Sequence, residues 1–389
     1  MDFRIATLSD RHQVEELWAY CFEPPDHPFF RWYFDAWDPA DTLCGWENGK
    51  LQACVHLNPY TLQIRGQSLP VPYIVGLATA PQARRGGVAG KLLYAALEEM
   101  RRRGCYFNIL MPSKAGFYYP YGWELCYHQI KYHIHLDELR RLTAGDGIFE
   151  MVNDSREWSK LAAIYESFTS HRHGFALRRQ REWERLLGSH QAENGRIALL
   201  FQDNRPTGYM LYHIRDGLFT IGDMAYTTAQ AQRNLLGFMY NHRSQATHGV
   251  WNSPFDDTLH MALANPKEGV SLFPFMSGRI VDVAGALSAI TYPAAIRSSL
   301  TISVADSLVD WNQGVFTLEV TDGRGEMKAA PGSEPSLSLT INALSQLVFG
   351  RLSAAELVRS GQLTAAKPES LKILDSMFPK CENYINEYF

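Results

Sequence analysis

The stretch from Tyr73 to Trp123, YIVGLATAPQARRGGVAGKLLYAALEEMRRRGCYFNILMPSKAGFYYPYGW, constrains this chain more than any other. Tyr73 to Thr79 is apolar or small and predicts a strand that ends before Pro81. A turn of Arg84, Arg85, Gly86 and Gly87 follows. Val88, Leu92, Leu93, Ala96, Leu97 and Met100 then recur at the 3.6-residue period of a one-sided helix. Arg101, Arg102 and Arg103 suit the negative end of that helix, and Gly104 stops it. Cys105 to Met111 predicts a second strand. A strand–glycine turn–helix presents backbone N–H groups at a helix N-terminus, where they can hold phosphate oxygens. Gly87 lets the backbone approach closely, and Arg84 and Arg85 supply charge for a pyrophosphate. The spacing Arg84-x-x-Gly87-x-Ala89 is neither a Walker loop, which needs Gly-Lys-Ser/Thr, nor a full GxGxxG.

That spacing, in its strand–turn–helix–strand setting, resembles the acetyl-CoA pyrophosphate loop of the GNAT acyltransferases, (Q/R)-x-x-G-x-(G/A). Ser113-Lys-Ala-Gly-Phe-Tyr118-Tyr-Pro-Tyr-Gly122-Trp123 resembles the S-x-x-x-x-Y-x-x-(F/Y)-G-(Y/F/W) segment of the Eis (enhanced intracellular survival) family of GNAT N-acetyltransferases. The resemblance extends to GFALRRQREWERLL in the middle of the chain and to FTLEVTDG near its end. It implies an α/β (α+β) chain with tandem GNAT-like domains followed by a sterol-carrier-protein-like domain. The expected boundaries are 1-145 for a catalytic GNAT domain, 146-284 for a second, degenerate one, and 285-389 for the sterol-carrier-like domain.

The elements along the chain agree with that plan. Arg4 to Leu8 predicts a strand, and Ser9 or Asp10 can cap a helix with Val14, Leu17, Trp18 and Cys21 on its apolar face. Glu23 to Trp37, rich in proline and aromatics, predicts a loop or short helix. Thr42–Trp46 and Leu51–Leu57 flank the hairpin signal Glu47-Asn48-Gly49-Lys50. Tyr60–Arg65 and Leu69–Thr79 continue the sheet, and Gln129–Leu136 is expected to complete the first domain. The second unit repeats the order, with helices at 157–168 and 178–187 and strands at 196–201, 207–214 and 218–225. Its helix around Leu235, Leu236, Met239 and Tyr240 is preceded by AYTTAQAQ, which has no glycine at the turn, so no CoA binding is expected there. Strands at 300–304, 315–320 and 337–341 and helices near 342–349, 353–359 and 368–378 close the chain.

Bulk properties narrow the partners. At 389 residues, two or three domains are expected. A net charge of -4 argues against a nucleic-acid footprint. No apolar run reaches spanning length, and the first residues lack the apolar core of a secretory leader. The six cysteines include no CxxC pair, so buried thiols, a reducing cytoplasm and no metal site are expected. His171-Arg-His173 predicts a solvated loop. His133 and His135 predict half-exposed residues on one sheet face.

Acyl transfer to an amine needs a positioned thioester, a base for the ammonium and an acid for the departing thiolate. A primary ammonium of pKa roughly 10.4 costs about 4–5 kcal/mol to deprotonate at pH 7. The resemblance assigns the acid to Tyr118 and the base to the C-terminal carboxylate of Phe389. It places acetyl-CoA, as co-substrate, against Leu77, Thr79, Arg84, Arg85, Gly87, Val88 and Ser113. Gly76 stands where the family has an aromatic beside the thioester strand. Tyr388 stands where some members have an acid, with Glu387 the nearest carboxylate. Asp26, Gly76 and Glu387 are therefore the candidate amine-pocket residues. The implied acceptors are amines of polycationic small molecules, aminoglycoside- or polyamine-like, and the implied assembly is a hexamer. Two alternatives stand beside this reading: a GNAT acyltransferase acting on protein or peptide amines, and an apolar-ligand carrier with a regulatory CoA site.

Overall fold

The computed structural model describes residues 1–143 and 145–388, which group into two compact units. Unit 1 holds Met1–Tyr127, His173–Leu177 and Phe275–Phe389, and unit 2 holds His128–Arg172 and Arg178–Pro274.

Unit 1 begins with β1 (Asp2–Ile5), α1 (Arg11–Cys21), α2 (Pro28–Asp35), β2 (Thr42–Glu47) and β3 (Lys50–Asn58). The first strand lies earlier than Arg4–Leu8 because Thr7 leaves it. The Thr7 amide and hydroxyl both bond the Asp10 carboxylate, opening a short 3-10 turn ahead of α1. Asn48 and Gly49, with φ of 52° and 72°, make the predicted tight hairpin turn. β4 (Thr61–Ile64) and β5 (Gln67–Pro70) form their own two-stranded ribbon. The expected strand Leu69–Thr79 is therefore broken at Val71-Pro72, where proline cannot donate to a ladder. β6 (Tyr73–Thr79), α3 (Val88–Arg102) and β7 (Phe107–Leu110) follow. Leu92, Leu93, Ala96, Leu97 and Met100 of α3 pack on Leu43, Ala53, Val55, Leu57 and Ile74 of the sheet. Antiparallel pairing links β1, β2, β3 and β6 in that order, and β6 pairs β7 in parallel. A short helix α4 (Ala115–Tyr118) and the strand β8 (Glu124–His135) come next.

In unit 2 the end of β8, the predicted Gln129–Leu136 strand, pairs antiparallel with β13, which spans His248–Pro254. The unit also contains β9 (Ile148–Val152), α5 (Ser159–Thr169), α6 (Gln180–Ala192), β10 (Arg196–Gln202), β11 (Arg205–Arg215), β12 (Leu218–Tyr226) and α7 (Ala229–Asn241). β10, β11 and β12 are antiparallel neighbours and β12 pairs β13 in parallel, the same sequence of pairings as β2, β3, β6 and β7. The repeat inferred from residue patterns is thus a repeat of topology. Inside this unit Arg178 lies between Asp223, at 2.6 Å, and the face of Tyr165. His133 and His135 stand exposed on one face, each ring edge-on to His248.

The chain re-enters unit 1 along β14 (Val270–Ile280), whose Ser277–Ile280 pairs with β7. Then come α8 (Val283–Ala289), β15 (Arg297–Ala305), β16 (Gly314–Thr321), β17 (Arg324–Ala329), β18 (Leu337–Thr340), α9 (Ile341–Val348), α10 (Ala354–Arg359), β19 (Leu363–Ala365) and α11 (Pro368–Met377). The sheet order is β17-β16-β15-β18-β19. The strands missed by residue patterns, β9, β13, β14, β17 and β19, are short or carry little apolar alternation.

Of the solvated loop expected at His171–His173, His171 is exposed, but His173 is held by distant partners. His173 accepts the Arg65 amide on Nε2 at 2.9 Å, and its Nδ1 lies 2.7 Å from Asn383 Oδ1. The Arg65 guanidinium, buried in the β4–β5 turn, donates to the carbonyls of Leu347 and Val348, the negative end of α9, and to Pro379. Burial and the nearby guanidinium hold His173 down at about 4, below its ordinary 6.5. The folded state thus binds this proton less readily than the unfolded chain. The associated stability is complete above pH 6.5 and is lost as pH falls from 6.5 towards 4. We predict that His173→Gln flattens this decline relative to wild type by about 3 kcal/mol. Denaturant unfolding from pH 7 to pH 4 measures it, because all other titrating groups are common to both proteins.

Candidate functional site

β6 and β7 pair in parallel only at Tyr73–Ile109 and Ile74–Leu110. Beyond those residues β6 runs on to Thr79, and the two strands part. A bulge sets the parting. β3 advances from Cys54 to His56 while β6 moves from Ala78 to Val75, so Gly76 and Leu77 share one register step. Gly76 has a φ of +57°, and a Cβ there would fall 2.4 Å from the Trp18 ring. Trp18 is itself fixed by stacking on Tyr33 at 4.7 Å and by its indole N–H bond to Glu23 at 2.9 Å. The space that a side chain at Gly76 would need is therefore filled from α1.

A 540 Å³ cavity opens on this side of the sheet. Its wall includes Leu77, Thr79, Arg84, Arg85, Gly87, Val88 and Ser113 together with Tyr118. Every residue expected to meet acetyl-CoA thus lines one space with the expected acid. Arg84 is held by its Nε bond to the Thr79 carbonyl at 3.2 Å and lies over Tyr20 at 5.5 Å. Arg85 takes a left-handed φ of 65°, and Gly87, also left-handed at 72°, is the N-cap of α3. No side chain caps that helix, and a Cβ built on Gly87 would meet nothing within 4 Å. Its first-turn amides are left for a ligand, which fits a pyrophosphate. At the matching place in unit 2, Thr228 Oγ1 accepts the Ala231 amide at 3.0 Å and closes the N-terminus of α7 on itself.

Tyr118 sits at the end of α4, edge-on to Phe117 and Trp123. Burial pushes its hydroxyl up to about 12, so it is protonated throughout the neutral range. Cys21, Phe22, Phe117 and Tyr121 also line the cavity and were not singled out beforehand. Only the aromatic density of the two segments hinted at them.

The amine-pocket candidates are not gathered with these residues. Asp26 is exposed on the segment before α2, and Gly76 and Glu387 do not line the cavity. Glu387 is buried, and its charge helps raise the Tyr73 hydroxyl, after burial itself and Tyr60. Tyr388 is exposed, its ring 4.9 Å from Phe275. Phe389 lies outside the described residues. Among the described residues no cluster of three His, Cys, Asp or Glu is placed to hold a metal, and no helix is long and apolar enough to cross a membrane.

Comparison with known proteins agrees with this geometry. Residues 2–126 match the profile of an acetyltransferase (GNAT) domain, residues 174–280 that of another acetyltransferase (GNAT) domain, and residues 283–386 that of a sterol carrier protein domain. An uncharacterized N-acetyltransferase of Streptomyces avermitilis is 23% identical over 332 residues, 80% of each chain. A GCN5-related N-acetyltransferase from Anabaena variabilis has the same fold, with a TM-score of 0.85, 22% identity and full coverage of both chains. Eis1 from Mycobacterium abscessus superposes with a TM-score of 0.78, at 20% identity and full coverage of both. The chain is a mixed α/β acyltransferase with tandem GNAT domains and a sterol-carrier-like domain. The GNAT fold uses acetyl-CoA, and the residues of the 540 Å³ cavity suit it.

Gly87→Ala tests the cradle. A side chain in the left-handed region costs about 1–2 kcal/mol, and this one would project into the space left for pyrophosphate. The dissociation constant of acetyl-CoA, measured by calorimetry, is expected to rise roughly tenfold, the equivalent of about 1.4 kcal/mol.

Proposed function

We propose that this acyltransferase moves the acetyl group of acetyl-CoA directly onto amines of polycationic small molecules, aminoglycoside- or polyamine-like, in the manner of the Eis family. The observation that carries this reading is the placement of Tyr118 in one cavity with the whole expected CoA-binding set. The choice of acceptor rests on the sequence resemblance, as does the hexamer, while the cytoplasmic location that we assign to it rests on the scattered, unpaired cysteines.

In this mechanism the amine nitrogen attacks the thioester carbonyl, a C–N bond forms and the C–S bond breaks. The amide product retains the acetyl group, CoA leaves as the thiol, and one proton is released from the original ammonium. Tyr118 donates to the sulfur as charge develops there. A thiol has an ordinary pKa near roughly 8.5, below the value of about 12 that burial gives Tyr118. A free tyrosinate is therefore unfavourable at this site, and Tyr118 takes up the second proton of the attacking nitrogen as it gives its own to the sulfur. The C-terminal carboxylate of Phe389 is assigned the proton from the amine. An α-carboxylate, with pKa roughly 3.5, is ionised at neutral pH and attracts an ammonium. The Arg84 side chain and the first-turn amides of α3 hold the pyrophosphate, and Leu77 and Thr79 align the thioester arm along β6.

Tyr118→Phe is expected to lower kcat about a hundredfold with little change in the acetyl-CoA KM. Retention of full activity would remove the acid role. Thiol release from acetyl-CoA against polyamines, aminoglycosides and N-terminal peptides tests the acceptor class. More than one equivalent released per multi-amine molecule supports the proposal, and release with peptides alone moves the assignment to protein amines.

A further inference from the structure

The segment that carries Tyr118 makes few bonds to itself. Within it the Gly122 amide bonds the Tyr119 carbonyl at 3.0 Å, and the Trp123 amide bonds the Tyr118 carbonyl at 3.4 Å. The remaining support comes from far along the chain. Asn342, at the start of α9, donates through Nδ2 to the carbonyls of Tyr119 at 3.1 Å and Trp123 at 3.2 Å. Ser307 Oγ donates to Pro120 at 3.2 Å, and Gln346 Nε2 donates to Leu125 at 3.1 Å. Arg279 Nη1 donates to the Tyr121 carbonyl. Five carbonyls between residues 119 and 125 therefore point at donors between residues 279 and 346.

We propose that the sterol-carrier-like domain serves acyl transfer as the frame that positions Tyr118, with Asn342 as its principal positioning residue. This inference rests on the reading of Tyr118 as the acid. Arg279 and Asp306 anchor the frame. Arg279 Nη2 meets Asp306 Oδ2 at 2.6 Å, and the guanidinium lies 5.1 Å from the centre of the Trp123 ring. Asp306 is fixed in turn by the Asn312 side chain at 3.1 Å and the Leu308 amide at 3.0 Å. Asn342 is the informative position because it is only partly buried, is uncharged and spans both ends of the Tyr119–Trp123 turn. A catalytic hydroxyl displaced by about 1 Å can cost on the order of a hundredfold in rate. Partial release of the turn is therefore expected to cost about tenfold.

The test is a double-mutant cycle on the full chain. Asn342→Leu is expected to lower kcat about tenfold while leaving the acetyl-CoA KM within about twofold. In a Tyr118→Phe background the same substitution is expected to cause no further loss, because its effect acts through the hydroxyl. An equal loss in both backgrounds, or none in either, overturns the proposal. Amide hydrogen exchange across residues 118–125 gives a readout independent of chemistry. It should quicken at least about tenfold in Asn342→Leu, and unchanged exchange overturns the frame. Full activity of Tyr118→Phe alone would overturn the acid assignment, while exchange still decides whether the frame exists. If Asn342→Leu does not fold, Ser307→Ala removes one bond at an exposed hydroxyl and carries the same cycle and exchange measurement, with a smaller factor expected.

Discussion

A guanidinium with no exposed surface lies beneath the turn that carries Tyr118. Arg279 is 0% exposed, and Asp306 neutralises it at 2.6 Å. Taking such a pair out of water costs several kcal/mol per ion before their attraction is counted. The pair is tolerable because further bonds share its charge, although the buried Arg279 Nε has no hydrogen-bond partner: the arginine reaches a backbone carbonyl and the carboxylate gathers an amide side chain and a backbone N–H. This makes the geometry demanding. The turn that carries Tyr118, the end of β14 and the loop after β15 must all be present together, or a charge is left buried without its partner.

The two GNAT-like units share a strand plan and part at one helix start. Both have a bulge in the strand ahead of the helix, at Gly76 in one and beside Gly222 in the other, and both join that strand in parallel to the next. The difference lies at the helix start. Gly87 contributes no side chain, so the amides of α3 face outward, whereas Thr228 spends its hydroxyl on the equivalent amide of α7. Charge follows the same division, since Arg84 and Arg85 have no equivalents in AYTTAQAQ.

Local physics explains which parts were legible in the residues alone. The helix from Val88 to Arg102, the Asn48-Gly49 turn and the left-handed Gly87 turn are encoded within short windows, by periodicity, turn chemistry and one glycine. Their expected and observed positions agree within a few residues. Features that depend on distant partners were not legible. Gly76 reads as a missing aromatic until Trp18 is seen occupying the space. His173 reads as a loop residue because its partners are Arg65 and Asn383. β14 contains Pro274 and exposed residues at its start, and its end is recognisable as a strand only through pairing with β7. Asp26, attractive as a carboxylate in an aromatic segment, is exposed, which no periodicity in that segment could foretell.

The path of the chain through unit 1 has a consequence for its synthesis. β7 gains its second neighbour from Ser277–Ile280, and the β4–β5 turn is secured by residues as distant as Leu347, Val348 and Pro379. A nascent chain that has emerged as far as Trp123 already contains every lining residue of the 540 Å³ cavity, yet one edge of its sheet is bare and its turn lacks those distant partners. Contacts of such long sequence separation form slowly, and exposed strand edges invite wrong partners meanwhile. Completion of the sheet around β7 thus waits on residues made far later in the chain.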